Sequence, residues 1–194
     1  CTVAPYCENF DAGVPADWSN NGWTLNAGTT GSFGTGPFTD VSGFGNYMYY
    51  ETSGSPDTMI TLTSLCLDIS TLASPTLEFF NHMLGATMGT LDVLVNGTNV
   101  WSQSGDQGGQ WNWAQVDLSA YAGSTNLTIE FVGNYGTGFT GDMAIDEVCV
   151  QEFTTILGCT DPSALNYDAL ANTDDASCTY CADNQVGVTF FDSW

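Results

Sequence analysis

The 194-residue chain contains no lysine and no arginine, set against 22 aspartates and glutamates, for a formal net charge of −22. A fold built from it cannot be held by salt bridges. Each carboxylate drawn inward must be matched by N–H and hydroxyl donors, by a proton, or by a bound cation. The same imbalance removes whole classes of partner, because nucleic acids and anionic membrane surfaces are gripped by Lys and Arg. Trypsin-like proteases find no cleavage site. An acidic chain of low charge density could be disordered, but disordered segments are poor in aromatics. This one is 13% aromatic and 43% hydrophobic, and its length suits one ordinary domain with a small appendage.

No apolar run approaches the roughly 18 residues that would cross a bilayer, and no charged n-region with an apolar h-region opens the chain, so membrane insertion is not expected. The sequence starts at Cys1 without an initiator Met, which suggests a mature or excised piece of something longer. Seven cysteines (Cys1, Cys7, Cys66, Cys149, Cys159, Cys178, Cys181) with a single histidine point to disulfides in an oxidising, extracellular compartment rather than to zinc. Cys178 and Cys181 form a C-x-x-C, but no βαβ pattern or activating base surrounds it, and two adjacent disulfide-tied modules account for it better than redox chemistry.

From residue 43 to 152, short runs alternate apolar and polar residues and are broken by Gly, Asn and Ser, which predicts an all-β sandwich. Strands are expected over 46–52, 57–70, 76–84, 89–95, 98–104, 111–119, 126–133 and 142–150. Leu91, Val93 and Val95 share one face, as do Leu127, Ile129 and Phe131. Asn96-Gly97 predicts a type I′ hairpin, whose two central residues need positive φ. Eight or nine strands suit a two-sheet antiparallel jelly roll. The glycine-rich stretch 26–45 reads as a long loop, with Asp40 either pinning it or merely starting a turn. The strand pattern ends at residue 152, which divides the chain into a jelly roll (1–152), an acidic connector (153–180) and the start of a further β unit (181–194).

The connector raises the charge problem in its sharpest form. "GCTDPSALNYDALANTDDASC" (158–178) places four aspartates and two asparagines between two cysteines, with Leu165, Tyr167 and Leu170 its only large apolar residues. Calcium takes six to eight oxygens in a flexible shell. Asp161, Asn166, Asp168, Asn172, Asp174 and Asp175 offer such oxygens, and a Cys159–Cys178 disulfide would close the loop around the ion. The spacing is not that of an EF-hand. A solvated acidic linker tied by its disulfide alone is the plainer alternative.

That stretch resembles a short repeat found in tandem in large secreted proteins of marine gliding bacteria, a relative of the thrombospondin type 3 calcium repeat. The family usually has Gly where Ala176 stands. The larger part is similar to bacterial MAM domains of the concanavalin-like jelly-roll group, on "CENFD" (7–11), "GTGPFTD" (34–40), "YMYYETSG" (47–54), "LTSLCLDIS" (62–70), "PTLEFFNHMLGATMGTLDVLV" (75–95) and "GDMAIDEVCV" (141–150). The resemblance implies adhesion or protein association without catalytic residues, and in several members a structural cation. It places Asp11 and Asp146 in acidic motif positions, with Glu147 in place of a second Asp, and these with Asp40 and Asp142 or Glu8 are candidates for a second cation site. A cysteine of the vertebrate pattern near Trp18 is missing, so the three possible pairings of Cys1, Cys7, Cys66 and Cys149 stay open.

His82 is the natural suspect for acid–base work, but it sits mid-strand where the resembled motif also has His. Glu51, Glu78 and Glu130 could pair for glycoside hydrolysis, yet nothing in their spacing selects two of them. Trp111 and Trp113 could stack on a sugar or simply pack on the sheet. Asp57-Thr58-Met59 resembles an O-glycosylation sequon of the same bacterial group, which makes Thr58 a modification candidate; the N-x-T matches at Asn96 and Asn126 weigh little in a bacterial chain. Cys181, opening a truncated unit, would pair beyond Trp194. The expected function is a non-catalytic, calcium-stiffened segment of a large extracellular adhesin or surface filament. Its partners would be neighbouring modules of the same chain, further copies in a filament, or a cell-surface glycan or protein. The alternatives are a carbohydrate-binding module of a secreted enzyme or, third, a polysaccharide hydrolase.

Overall fold

In the computed structural model, residues 1–54, 57–168 and 171–180 are described. The chain divides into two compact units, Cys1–Phe153 and Thr154–Trp194, with the boundary one residue past the break in strand pattern. Cys181 and the predicted third unit lie outside the described residues.

The strands of the first unit are β1 (Thr2–Val3), β2 (Tyr6–Glu8), β3 (Ser19–Asn21), β4 (Thr24–Asn26), β5 (Tyr47–Tyr50), β6 (Met59–Thr63), β7 (Leu67–Asp68), β8 (Pro75–Met83), β9 (Thr90–Val95), β10 (Thr98–Ser104), β11 (Gly108–Asp117), β12 (Ile129–Asn134) and β13 (Met143–Glu152). They form a two-sheet jelly-roll sandwich. One sheet runs β10-β9-β12-β6-β3 and the other β11-β8-β13-β5-β4, with β2 added against β13, and all of these pairings are antiparallel. The inner faces meet through Leu77, Phe79 and Met83 of β8, Leu91, Val93 and Val95 of β9, Leu62 of β6, Ile129 and Phe131 of β12, and Met143 and Ile145 of β13, all 0% exposed. Burying one such side chain is worth about 1.5–3 kcal/mol, so this interior is the main source of stability.

Asn96 and Gly97 take φ of 48° and 78° and join β9 to β10, with Val95 paired to Thr98. The single strand expected over 57–70 is instead two: β6 ends at Thr63, and β7 pairs in parallel with β1. Between them the Ser64 hydroxyl receives the Ile129 N–H at 3.0 Å, so a side chain takes over where the ladder stops.

Disulfides join Cys1 to Cys66 and Cys7 to Cys149. The second lies between directly paired residues of β2 and β13 and closes a separation of 142 residues. In the loop-entropy account such a closure removes about 5 kcal/mol of unfolded-state freedom.

The second unit has β14 (Leu157–Gly158) and β15 (Thr173–Asp174), paired in parallel, and the Cys159–Cys178 disulfide. Cys159 is 1% exposed, whereas Leu157, Leu165 and Tyr167 are 62%, 68% and 45% exposed. Among the described residues this unit is organised by its disulfide and its polar side chains, not by an apolar core.

Candidate functional site: a carboxylate cluster under a pinned loop

Residues 142, 144 and 146 of the β13 segment face away from the core, as do Tyr47 and Tyr49 of β5 and His82 of β8. The 27–46 loop lies over this outer face. Trp111 donates its indole N–H to Thr39 O at 2.9 Å, the Thr35 hydroxyl donates to Leu84 O at 2.9 Å, and Val41 N–H donates to Asp146 Oδ2 at 3.1 Å. The loop is therefore tied down along its length rather than free.

A β-bulge interrupts β13 between Asp146 and Cys149, with Glu147 at φ 50°. Its extra residue flips the strand's parity: Met143 and Ile145 face the core before it, Val148 and Val150 after it. Bulges re-aim side chains, and this one turns Asp146 and Glu147 toward the Asp40 turn. Asp146 is 1% exposed and receives the N–H groups of Val41 and Glu147. Burial pushes its carboxyl up to about 7, against those N–H bonds, and Glu147 and Asp40 add to the rise. Burial likewise raises Glu147, with Asp11 and Asp40 contributing. Asp40 is 4% exposed; its Oδ2 accepts from Ser42 N–H and hydroxyl, while its Oδ1 is buried with no hydrogen-bond partner among the described residues. Asp40 thus both starts a turn and closes the cluster. Asp11 arrives from the N-terminal segment and receives Asn46 N–H at 3.0 Å. Gly45 is what lets the groups converge, since a Cβ there would meet the carboxylates of both Asp11 and Asp40.

Asp142 stands apart from this group. Four residues up the strand from Asp146, it is separated by roughly 13 Å of backbone. It is 0% exposed, with Oδ1 held by the Thr52 N–H and hydroxyl at 2.9 Å each. Burial raises its carboxyl above the ordinary range, with Glu51 as the neighbouring charge. Its backbone N–H donates to the Thr35 hydroxyl at 2.8 Å, so it fastens the loop to the sheet. Glu147 was legible only as a motif substitution, and the roles of Thr35 and Thr52 had no local signal in the sequence.

The residues present suit a hard cation in chemistry: carboxylate oxygens from three separate segments, one of them a buried oxygen with no donor. Among the described residues no three such groups are drawn to ligating distance.

In the second unit the candidate ligands are spread over separate turns. Asp161 receives Ser163 N–H and hydroxyl and the Tyr180 hydroxyl, and these donors, Tyr180 foremost, hold its carboxyl below the usual range. Asp175 is lowered by Ser177 in the same way, and Asp174 receives Ala176 N–H. Asn166 bridges Ser177 O and Thr179, and Asn172 bridges Thr154 O and Ile156 N–H, so both amides are committed to backbone. Asp168 Oδ2 lies against Gly158, where a Cβ would stand 3.3 Å from it. These bonds hold the stretch together without basic residues.

Other sequence candidates are walled off or separated. His82 is 1% exposed, its Nδ1 has no partner among the described residues, and burial lowers its basicity; the ring packs edge-on against Trp111 at 5.5 Å. Glu78 is held by Gln115 and Gln151, and Glu51 by Tyr49 and Ser53, while Glu130 belongs to the opposite sheet. Trp111 also packs on Tyr47, which leaves its face engaged; Trp113 is 51% exposed. Thr58 is exposed, ahead of β6. No helix among the described residues is long and apolar enough to cross a membrane.

As a class, the first unit is a disulfide-stapled β-sandwich with a loop-covered acidic face. The chain belongs to the MAM domain family (meprin/A5/mu), which matches residues 8–154. It is 33% identical over 165 residues to human MAM domain-containing glycosylphosphatidylinositol anchor protein 1, an alignment covering 76% of this chain and 16% of that protein. It is 34% identical over 155 residues to the mouse anchor protein 2, covering 70% of this chain and 16% of that one. The chain therefore spans about one sixth of the length of these relatives. Among solved structures, a cleaved adhesin domain of Lys-gingipain from Porphyromonas gingivalis superposes with a TM-score of 0.56 at 17% identity, covering 78% of this chain and 99% of that one, and it shares the fold.

Proposed function

We propose that this chain is a non-catalytic adhesive segment of a longer extracellular or cell-surface protein, with calcium neutralising its carboxylates. Membership of the MAM family over residues 8–154 is the observation that carries the adhesive reading, and the walled-off His82 and separated glutamates favour binding over chemistry. The bacterial adhesin setting and the calcium-repeat character of the connector belong to the same proposal. They are supported by the motif resemblance and by the Cys159–Cys178 closure.

In the sandwich, Asp11, Asp40, Asp146 and Glu147 would hold the ion. When bound it would supply positive charge where the chain has none, and tie the N-terminal segment, the long loop and β13 together. The buried, unpartnered Asp40 Oδ1 is what supports this most. In the connector, Asp161, Asp168, Asp174 and Asp175 would supply carboxylate oxygens, and a filled site would stiffen the link to following modules. Thr58 is the exposed candidate for glycosylation. The second reading, a carbohydrate-binding module, draws on the exposure of Trp113.

Beads coated with the purified chain should cohere, or attach to cells, in millimolar calcium and release in EDTA. Coated beads that do neither at any calcium level would end the adhesive reading.

A further inference from the structure

The two sheets of the sandwich part along one side, where β10 edges one and β11 edges the other. At that edge lies a cleft of about 250 Å³, lined from the inner side by Asn81, Trp101, Gln103, Asn112 and Ala114, by Gln107 of the β10–β11 turn, and across the β11 edge by Trp113 and Gln115, which belong to the outer face of that sheet. Its lining carries no charged side chain, in a molecule whose formal charge is −22. Such a surface offers no formal counter-charge to an ion.

What it presents instead is five carboxamides and two indoles. Asn81 is 3% exposed; its Nδ2 donates to Asn112 O at 3.0 Å, which leaves Oδ1 without a donor among the described residues. Gln103 spends neither amide atom on a side-chain bond within the described chain, and Gln107 uses its Nε2 on Ser104 O and Gly105 O, which leaves its carbonyl to accept. Asn112 is braced by Gln110, and Gln115 by Glu78, so the β11 wall is held in place. Trp101 packs edge-on against Phe79 at 5.1 Å and forms a fixed floor, while Trp113 stands half exposed at the rim.

Each carboxamide offers a donor and an acceptor side by side, which matches vicinal hydroxyls. An indole offers a broad apolar face for a ring's C–H side, with little entropy left to lose. We infer that the cleft between β10 and β11 binds a neutral saccharide, with Trp113 stacking on a sugar ring and Asn81, Gln103 and Gln107 bonding its hydroxyls. This deepens, and rests on, the reading of the chain as a binding module. It assigns the contact to Trp113 with Trp101 rather than to the Trp111 and Trp113 pair that the sequence offered as one possibility.

The test is calorimetric titration of the whole chain in calcium with neutral hexasaccharides of glucose, mannose, xylose and N-acetylglucosamine. At least one should bind, and Trp113→Ala should weaken it about tenfold or more, with Gln103→Ala weakening it several-fold. Both side chains lie at the cleft rim, and each variant's unfolding transition is recorded alongside. If no saccharide binds at millimolar concentration, or if both folded variants bind like the parent, the inference is overturned. Coated beads that still adhere while every saccharide is ignored would overturn the cleft assignment alone and point to a protein partner; failure of both would remove the binding-module reading with it.

Discussion

Asp146 and Asp40 show what a chain without cations must do with buried charge. In the folded state Asp146 ionises near pH 7, against roughly 4 when unfolded. Between those values the folded state binds the extra proton, so in chelator this group makes stability fall as pH rises from about 4 to 7 and flatten above. Denaturant melts in EDTA across that range should show the downward slope, and calcium should reduce it. Asp40→Asn should raise stability in EDTA, by about 1 kcal/mol or more, and should lower calcium affinity, because the buried, donorless oxygen is then an amide. Ala176 sits at φ 61°, in a region that L-residues enter at a cost and Gly enters freely. Ala176→Gly should stabilise the second unit by about 1 kcal/mol, read by hydrogen exchange of residues 158–180.

At the scale of elements, the second unit depends on one disulfide. With a separation of 19 residues, the Cys159–Cys178 closure is worth about 3 kcal/mol, and among the described residues no apolar core backs it up. Cys159→Ser with Cys178→Ser should open residues 154–180 to an Asp- or Glu-directed protease and leave the sandwich transition within about 1 °C.

The β9–β10 hairpin and the inner faces of β8, β9 and β12 were legible because their signals are local: an Asn-Gly turn and a two-residue period. The split between β6 and β7 was not, because Ser64 ends the ladder through a contact with Ile129, 65 residues away. The carboxylate cluster was half legible. Asp11, Asp40 and Asp146 stand out as motif acids, but Glu147 is turned toward them by the β13 bulge, which nothing in the alternating pattern announces, and Asp142, on the same face as Asp146, is held apart by four residues of strand. Trp111 and Trp113 share a strand face in sequence, yet the Thr39 carbonyl of the 27–46 loop claims the first and leaves the second.

For the whole molecule, the central claim is that divalent cations do the balancing that Lys and Arg do in ordinary proteins. With 22 acids and no Lys or Arg, repulsion among exposed carboxylates is screened by salt, whereas buried Asp40 and Asp146, beyond the N–H and hydroxyl donors they already hold, are neutralised by a proton or a bound ion. The direct measurement is thermal unfolding at pH 7.5 and fixed ionic strength, in 5 mM calcium and in EDTA. Saturating the ion site should add about 2–4 kcal/mol and raise the sandwich transition by roughly 5–15 °C. Coincident transitions in the two buffers would contradict the account.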